Sequence, residues 1–395
     1  MKKSLLVLSC VAAGLSLASC EKEPAGEAAP QPKVSEEVVL RNGILVFKDR
    51  KTMREFNARL NAKGTAYADQ WEQSLGFESM AHILNEVKAA ETQLEVDFLR
   101  GKTAAQLTQL RQQPALHSAL YTKWVNAGVL RAEKSPDGGE TLDVNASHTH
   151  YTNVMNADGM VAFGDTLYQY RGNKIKVTTK GLGQAAALKA ASASDAAQHI
   201  TVKTSPFRYE SQQGQQRTNE ITYNGNQWRD AYNGSKQKAI IKVSLYSEIL
   251  YDAHKQNFVD FWIEARCLKK NFWGNWVDES FGDGIWGIEA TYSWTAQVNP
   301  FWYSTMTLNV PGYTPGNAYV YYVPDTHPGT IKMDYTTGAP QFGNQLFPNG
   351  TYTPYFDPST GYNYYISQGI KIDNNSIFKC IPVNFRPEAV LYWAN

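Results

Sequence analysis

The spacing of apolar and polar positions changes along the chain, and each change predicts a different kind of element. A continuous apolar run from Leu5 to Leu17 follows Lys2 and Lys3 and ends in small residues. It is too short to span a bilayer and predicts a cleavable secretory signal over 1–19. Residues 20–38 are rich in Glu, Ala and Pro with little to bury, which predicts a disordered tether. At Gly43–Phe47 a short strand opens the folded part. The helical period then takes over. Asp49 caps a helix with Met53, Phe56 and Leu60 on one face, closed by Gly64. Trp71, Leu75 and Phe77 continue the apolar supply. From Ser79 a longer stripe carries Met80, Ile83, Leu84, Val87, Leu94 and Phe98. Thr103 to Gln106 reads as a capping box for a third helix, and Leu116, Leu120 and Trp124 form a fourth stripe stopped by Gly128.

Beyond residue 155 the period becomes alternating. Asn156 to Gly159 is a turn between short β-runs, Met160 to Tyr170 reads as strand broken at Gly164-Asp165, and Gly172-Asn173 turns into Ile175–Val177. Residues 185–198 are rich in Ala and Ser and read as a linker and domain boundary. Everything after His199 reads as β. Ile241, Val243 and Leu245 alternate with Lys242 and Ser244. Val259, Phe261, Ile263, Ala265 and Cys267 share one face, with Asp260, Glu264 and Arg266 on the other. The predicted fold is α+β. A small, mainly helical domain ending in short hairpins spans 39–184, and a larger all-β sandwich or open barrel spans 199–395.

Composition adds location and excludes some partners. Lysine and arginine total 38 against 37 acidic residues, so no broad field steers the chain to nucleic acid. After the signal no apolar run is long enough to cross a membrane. The stretch Leu17-Ala18-Ser19-Cys20 resembles the lipobox of bacterial lipoproteins. The resemblance implies a diacylglyceryl group on the Cys20 thiol, cleavage before it, and a partner in the membrane itself. Two or more acyl chains, at about 0.8 kcal/mol per buried CH₂, anchor stably. Glu21 and Glu23 echo the acidic residues that follow the lipidated Cys in surface lipoproteins of Bacteroidota. Asn156-Ala157-Asp158-Gly159 with Gly164-Asp165-Thr166-Leu167-Tyr168 resembles a pattern in exported Bacteroidota proteins of unassigned function. That resemblance implies an outer-membrane, lipid-anchored protein.

Candidate chemistry is sparse. No nucleophile elbow, zinc-protease helix, phosphate loop or calcium loop is present, and no cofactor is implied. His148-Thr149-His150 would put two imidazoles on one face of a strand, as a metal site needs, with no third ligand nearby. Asp278, Glu279 and Asp283 follow the Trp273–Trp276 turn. Paired carboxylates there would suit glycoside hydrolysis, but the pattern is loose and a plain surface loop is the better reading. Tyr and Trp crowd the C-terminal half. Trp273, Trp276, Tyr303, Tyr355 and Tyr362 are candidate ligand-contact residues, with burial between sheets as the competing account. Cys267 and Cys380 remain after the signal and the lipid site are set aside, and on the export side of a membrane they are a candidate disulfide. The function this supports is non-catalytic binding of a glycan or a partner protein in the envelope. A polysaccharide hydrolase and a structural component of an envelope assembly are the alternatives.

Overall fold

The apolar stripes between residues 49 and 126 form helices, and together they cover one face of a sheet. The computed structural model describes residues 37–395 apart from 64, 137, 205–213, 225–235, 250–256, 279–284, 301–305, 313–319, 323–329, 334–339, 342–349, 353–354, 358–361, 373, 375, 383–388 and 394–395. Over 214–224, 245–262 and 285–371, with Ile263 to Leu268 described in part, the description is of backbone path and register.

β1 (Val38–Arg41) and β2 (Ile44–Phe47) form a hairpin whose turn, Asn42-Gly43, has φ of 52° and 72°. Both residues tolerate that left-handed backbone, which matches the strand twist. α1 (Arg50–Lys63) begins where Asp49 Oδ1 accepts the Thr52 N–H at 2.8 Å. α2 (Thr65–Leu75), α3 (Met80–Leu99), α4 (Ala104–Leu110) and α5 (Ala119–Asn126) follow. Ser79 caps α3, and Thr103 with Gln106 completes the reciprocal capping box of α4. Met53, Leu60, Trp71, Ile83 and Val87 pack with Leu45, Phe47 and Tyr168 in the first core.

β3 (Leu130–Lys134) and β4 (Glu140–Val144) then make a hairpin that leaves this layer. β5 (Met160–Phe163), β6 (Thr166–Arg171), β7 (Lys174–Thr178) and β8 (Ile200–Thr204) complete the first sheet, in the order β1-β2-β5-β6-β7-β8. Its other face is covered by α6 (Ala185–Ala190), where Leu188 is fully buried against Met160, Leu167 and Ile200. Lys176 Nζ donates to the carbonyls of Leu188 and Lys189 at 3.2 and 2.7 Å. The stretch 185–198, expected as a linker, is therefore folded onto the sheet, and the strands on either side pair with each other, Thr178 opposite Ile200. Alanine-rich composition reads as a spacer, yet alanine is also the best helix former, and its small side chain allows close approach.

The second sheet joins the two halves of the sequence. β9 (Gly214–Asn224), β10 (Lys236–Ile249), β11 (Asn257–Lys270) and β12 (Trp276–Asp278) continue the β3–β4 hairpin in the order β3-β4-β12-β11-β10-β9. β13 (Ile285–Pro300), β14 (Met306–Gly312), β15 (Val320–Tyr322), β16 (Thr330–Met333), β17 (Pro340–Gln341) and β18 (Gly350–Tyr352) come next. β19 (Tyr355–Asp357), β20 (Tyr362–Ile372), β21 (Ser376–Pro382) and β22 (Ala389–Trp393) end the chain. The third sheet is centred on β13, and β20 to β22 lie across β10, so the C-terminal half is a sandwich. The fold is α+β, and residues 34–395 pack as one unit.

Alternation in β10 and β11 is as expected, but the second face is not solvent. Ala239, Ile241, Val243 and Ile263 are fully buried on one face. On the other, Lys238, Ser244, Glu264 and Arg266 are buried as well, beneath the β3–β4 hairpin, α3 and a 3-10 turn at Thr149–Tyr151. Charged residues at mid-strand thus mark the contact between the N-terminal layer and the sandwich. Of the two cysteines, Cys267 stands opposite Ala239 on β10, whereas Cys380 stands opposite Ile288 on β13 and Ala389 on β22. They belong to different sheets, and their side chains lie outside the described residues.

Candidate functional site

Between α3, the start of α5, the β3–β4 hairpin and β11–β12 lies a cleft of about 100 Å³. Its floor is the charge network on the polar face of the second sheet. Arg266 Nη1 donates to Asp143 Oδ2 at 3.2 Å and Arg266 Nη2 to Asp278 Oδ1 at 3.0 Å, with the Arg266 side chain only 10% exposed. Lys88 of α3 pairs with the other oxygen of Asp278. Beside them Lys242 Nζ reaches Glu264 Oε2 at 2.9 Å, and Thr149 Oγ1 donates to the same oxygen at 3.3 Å. Burial by itself would raise the Asp278 and Asp143 carboxyls. The Arg266 guanidinium outweighs it, helped by Lys88, and holds both well below the usual carboxylate range. Burial would likewise lower Arg266, but Asp278 and Asp143 hold it firmly protonated.

The walls are built by two turns that lock together. In the β11–β12 turn, Asn271 Oδ1 accepts the Trp273 and Asn275 N–H groups at 3.1 and 2.9 Å, and Gly274 has φ of +84°. Asn275 Oδ1 accepts the Glu140 N–H at 3.1 Å, which fastens this turn to the β3–β4 hairpin. Glu95 of α3 accepts the Phe272 N–H at 2.7 Å, and burial raises the Glu95 carboxyl above its ordinary range. On the opposite wall the His117 and Tyr121 rings stack at 3.8 Å and 9°. His117 Nδ1 shares a 2.9 Å hydrogen bond with Glu91, which also accepts the Ser118 N–H at 2.6 Å. Tyr121 donates to Glu140 Oε2 at 3.3 Å, and burial together with the Glu140 charge pushes its phenol up to about 12.

The residues expected to contact a ligand divide. Trp276 lines the cleft but is buried, with Lys238 and Lys270 over its ring at 4.5 and 5.1 Å, so it is a wall and not an exposed platform. Trp273 is half-buried at the tip of the turn, its ring 5.4 Å from Phe98 and 5.7 Å from Phe272. Tyr303 lies outside the described residues. Tyr355 and Tyr362 are placed by register alone, opposite Tyr364 and Asp357. Cys20 also lies outside the described residues, as do Glu279 and Asp283. Asp278, expected in a loop, ends β12 and is engaged on both oxygens.

The histidine pair corrects the strand expectation. His148 and His150 sit at the 3-10 turn, where residues two apart do not share a face. Both are buried, with rings 5.6 Å apart, in a cluster with Tyr151 and Tyr170. Among the described residues no group of three or more His, Cys, Asp or Glu is arranged to hold a metal ion. The polar cleft residues that sequence reasoning missed include Lys88, Glu91, His117, Tyr121, Glu140, Arg266, Asn271 and Asn275. A signal existed for the asparagines, since Asn-Phe-Trp-Gly-Asn is a turn in which Asn side chains bind backbone.

No family model matches the chain, and no curated protein matches it. Among solved structures it is similar to a DUF4848 family protein from Bacteroides thetaiotaomicron, over 90% of this chain and 100% of that one, at 12% identity and a TM-score of 0.27. A likeness of this strength carries no argument about family or site.

Proposed function

We propose that this is a lipid-anchored protein of the cell envelope, held at the outer membrane through Cys20, that binds a glycan without turning it over. The observation that carries the binding half is the lining of the cleft. Planar amides, a carboxylate and stacked aromatic rings converge there, which is the set of groups that recognises sugar hydroxyls and ring faces. The state of the carboxylates favours binding over hydrolysis. A glycoside hydrolase needs one acid that still carries a proton near neutral pH. Asp278 at the floor and Asp143 on the other side of Arg266 are both held ionised by that guanidinium.

Glycan-array binding by the purified protein, with no reducing ends released from the bound glycans, is the expected result. Release that is lost in Asp278→Asn would favour the hydrolase. The anchor is checked separately. Cys20→Ser should abolish labelling by an alkyne fatty acid and leave the precursor uncleaved, because the thiol is the acyl acceptor. A variant that still carries acyl chain would refute the lipobox assignment.

A further inference from the structure

If the protein binds a glycan as proposed, two features of the cleft narrow which kind, and the narrower inference rests on that reading. The first is which donors are left over. Asn271 and Asn275 each use the side-chain oxygen on backbone N–H groups, which fixes the amide orientation, and neither Nδ2 has a protein partner among the described residues. Both residues line the cleft. The second is charge. The cations at the cleft, Lys88 and Arg266, are consumed by Asp278 and Asp143, while Glu91 and Glu140 add further negative charge. A carboxylate or sulfate on the ligand would meet net repulsion from this lining, whose cations are already paired.

We infer that the ligand is a neutral glycan, with an edge of one sugar ring between the amides of Asn271 and Asn275 and the carboxylate of Glu140, and the adjoining ring over Trp273. At about 100 Å³ the cleft is smaller than a cavity of ~150 Å³ that takes up a benzene ring, so it admits part of one sugar ring and not a chain. The chain must leave the cleft, and Trp273, which is not itself a lining residue, offers it a ring. It is in the same five-residue turn as both asparagines, half-exposed, with Phe98 and Phe272 behind it. The Glu95 contact to the Phe272 N–H holds this platform on α3.

Calorimetric titration with mannose, glucose, xylose and N-acetylglucosamine, their β- or α-linked trisaccharides, and trigalacturonate tests this. At least one neutral trisaccharide should bind and trigalacturonate should not. Asn275→Asp keeps an oxygen for the Glu140 N–H, replaces the NH₂ donor by an acceptor and adds a negative charge, so it should weaken mono- and trisaccharide alike, by at least about tenfold. Trp273→Ala should weaken the trisaccharide by a similar factor and leave the monosaccharide unchanged. Both variants should keep the wild-type melting temperature within a few degrees. Neutral trisaccharide binding that neither variant disturbs would leave the glycan reading standing and move the site elsewhere. Tighter binding of trigalacturonate would overturn the charge argument. If the wild type binds none of these sugars, the glycan reading itself falls and this inference with it.

Discussion

Replacing Arg266 by Met should cost about 3–5 kcal/mol of folding stability, the range for removing one partner from a buried ion pair. The substitution keeps much of the side-chain volume, so most of the loss comes from charge. Asp143 and Asp278 would remain in a site where their side chains are 17% and 22% exposed, with Lys88 and Lys242 as the cations still near them. The effect should reach beyond one strand, since the network ties α3 (Lys88), β4 (Asp143), β11 (Arg266) and β12 (Asp278) together. Urea denaturation of wild type and variant measures it.

The pH dependence separates charge from packing. In the wild type the two carboxyls are held below their unfolded value of about 4. Their contribution is therefore complete above that value and is lost as pH falls below it toward the folded values. In Arg266→Met the same groups are buried without their main counter-ion, which moves their folded values the other way, so acidification relieves the strain of a stranded charge. The gap between the two proteins should be widest near pH 7 and narrow toward pH 3, without vanishing there because the wild-type carboxyls still keep their charge. A gap that stays constant over that range would mean that Arg266 acts through packing.

The same charges show why part of the architecture was legible in sequence and part was not. Period and caps located α1, α3 and α4, and the Asp49 and Thr103 caps act where the sequence puts them. Strand parity separated Ile241, Val243 and Ile263 from Lys242, Glu264 and Arg266, and the structure keeps that division. Parity states only which residues share a face. Whether a face meets water depends on partners more than a hundred residues away, such as Asp143 for Arg266 and Thr149 for Glu264. For the same reason Asp278 reads in sequence as one more loop carboxylate, and Trp276 stays open between ligand contact and burial. The 148–150 stretch failed on a different ground. The shared face holds only if the segment is extended, and the chain turns there instead. The cleft was illegible because its walls come from four separate segments. Only the Asn271–Asn275 turn had a local signature.

That turn is also where the second large effect is expected. Gly139 in the β3–β4 hairpin approaches the β11–β12 turn so closely that a Cβ on it would lie 2.0 Å from the Gly274 carbonyl oxygen and 3.0 Å from its carbon. The obstacle is backbone, already fixed by the Gly274 N–H to Asn271 carbonyl bond and the two asparagine side chains, so it cannot swing aside as a side-chain tip would. Gly139 also has φ of +84°, which alone costs a non-glycine residue roughly 1–2 kcal/mol. Overpacking a fixed contact adds about 1–3 kcal/mol. Gly139→Ala should therefore lose roughly 2–5 kcal/mol and push the two turns apart, breaking the Asn275 bond to the Glu140 N–H and opening the cleft wall. Gly138→Ala supplies the control. It has nearly the same φ, +80°, and nothing within 4 Å of the added carbon, so it should show the backbone strain alone. Chemical denaturation of the pair gives the contact as the difference between them, and amide exchange at Glu140 and Asn275 reports whether the wall has opened. Equal losses in the two variants, with exchange unchanged, would mean that the turns are not packed together as the structure has them.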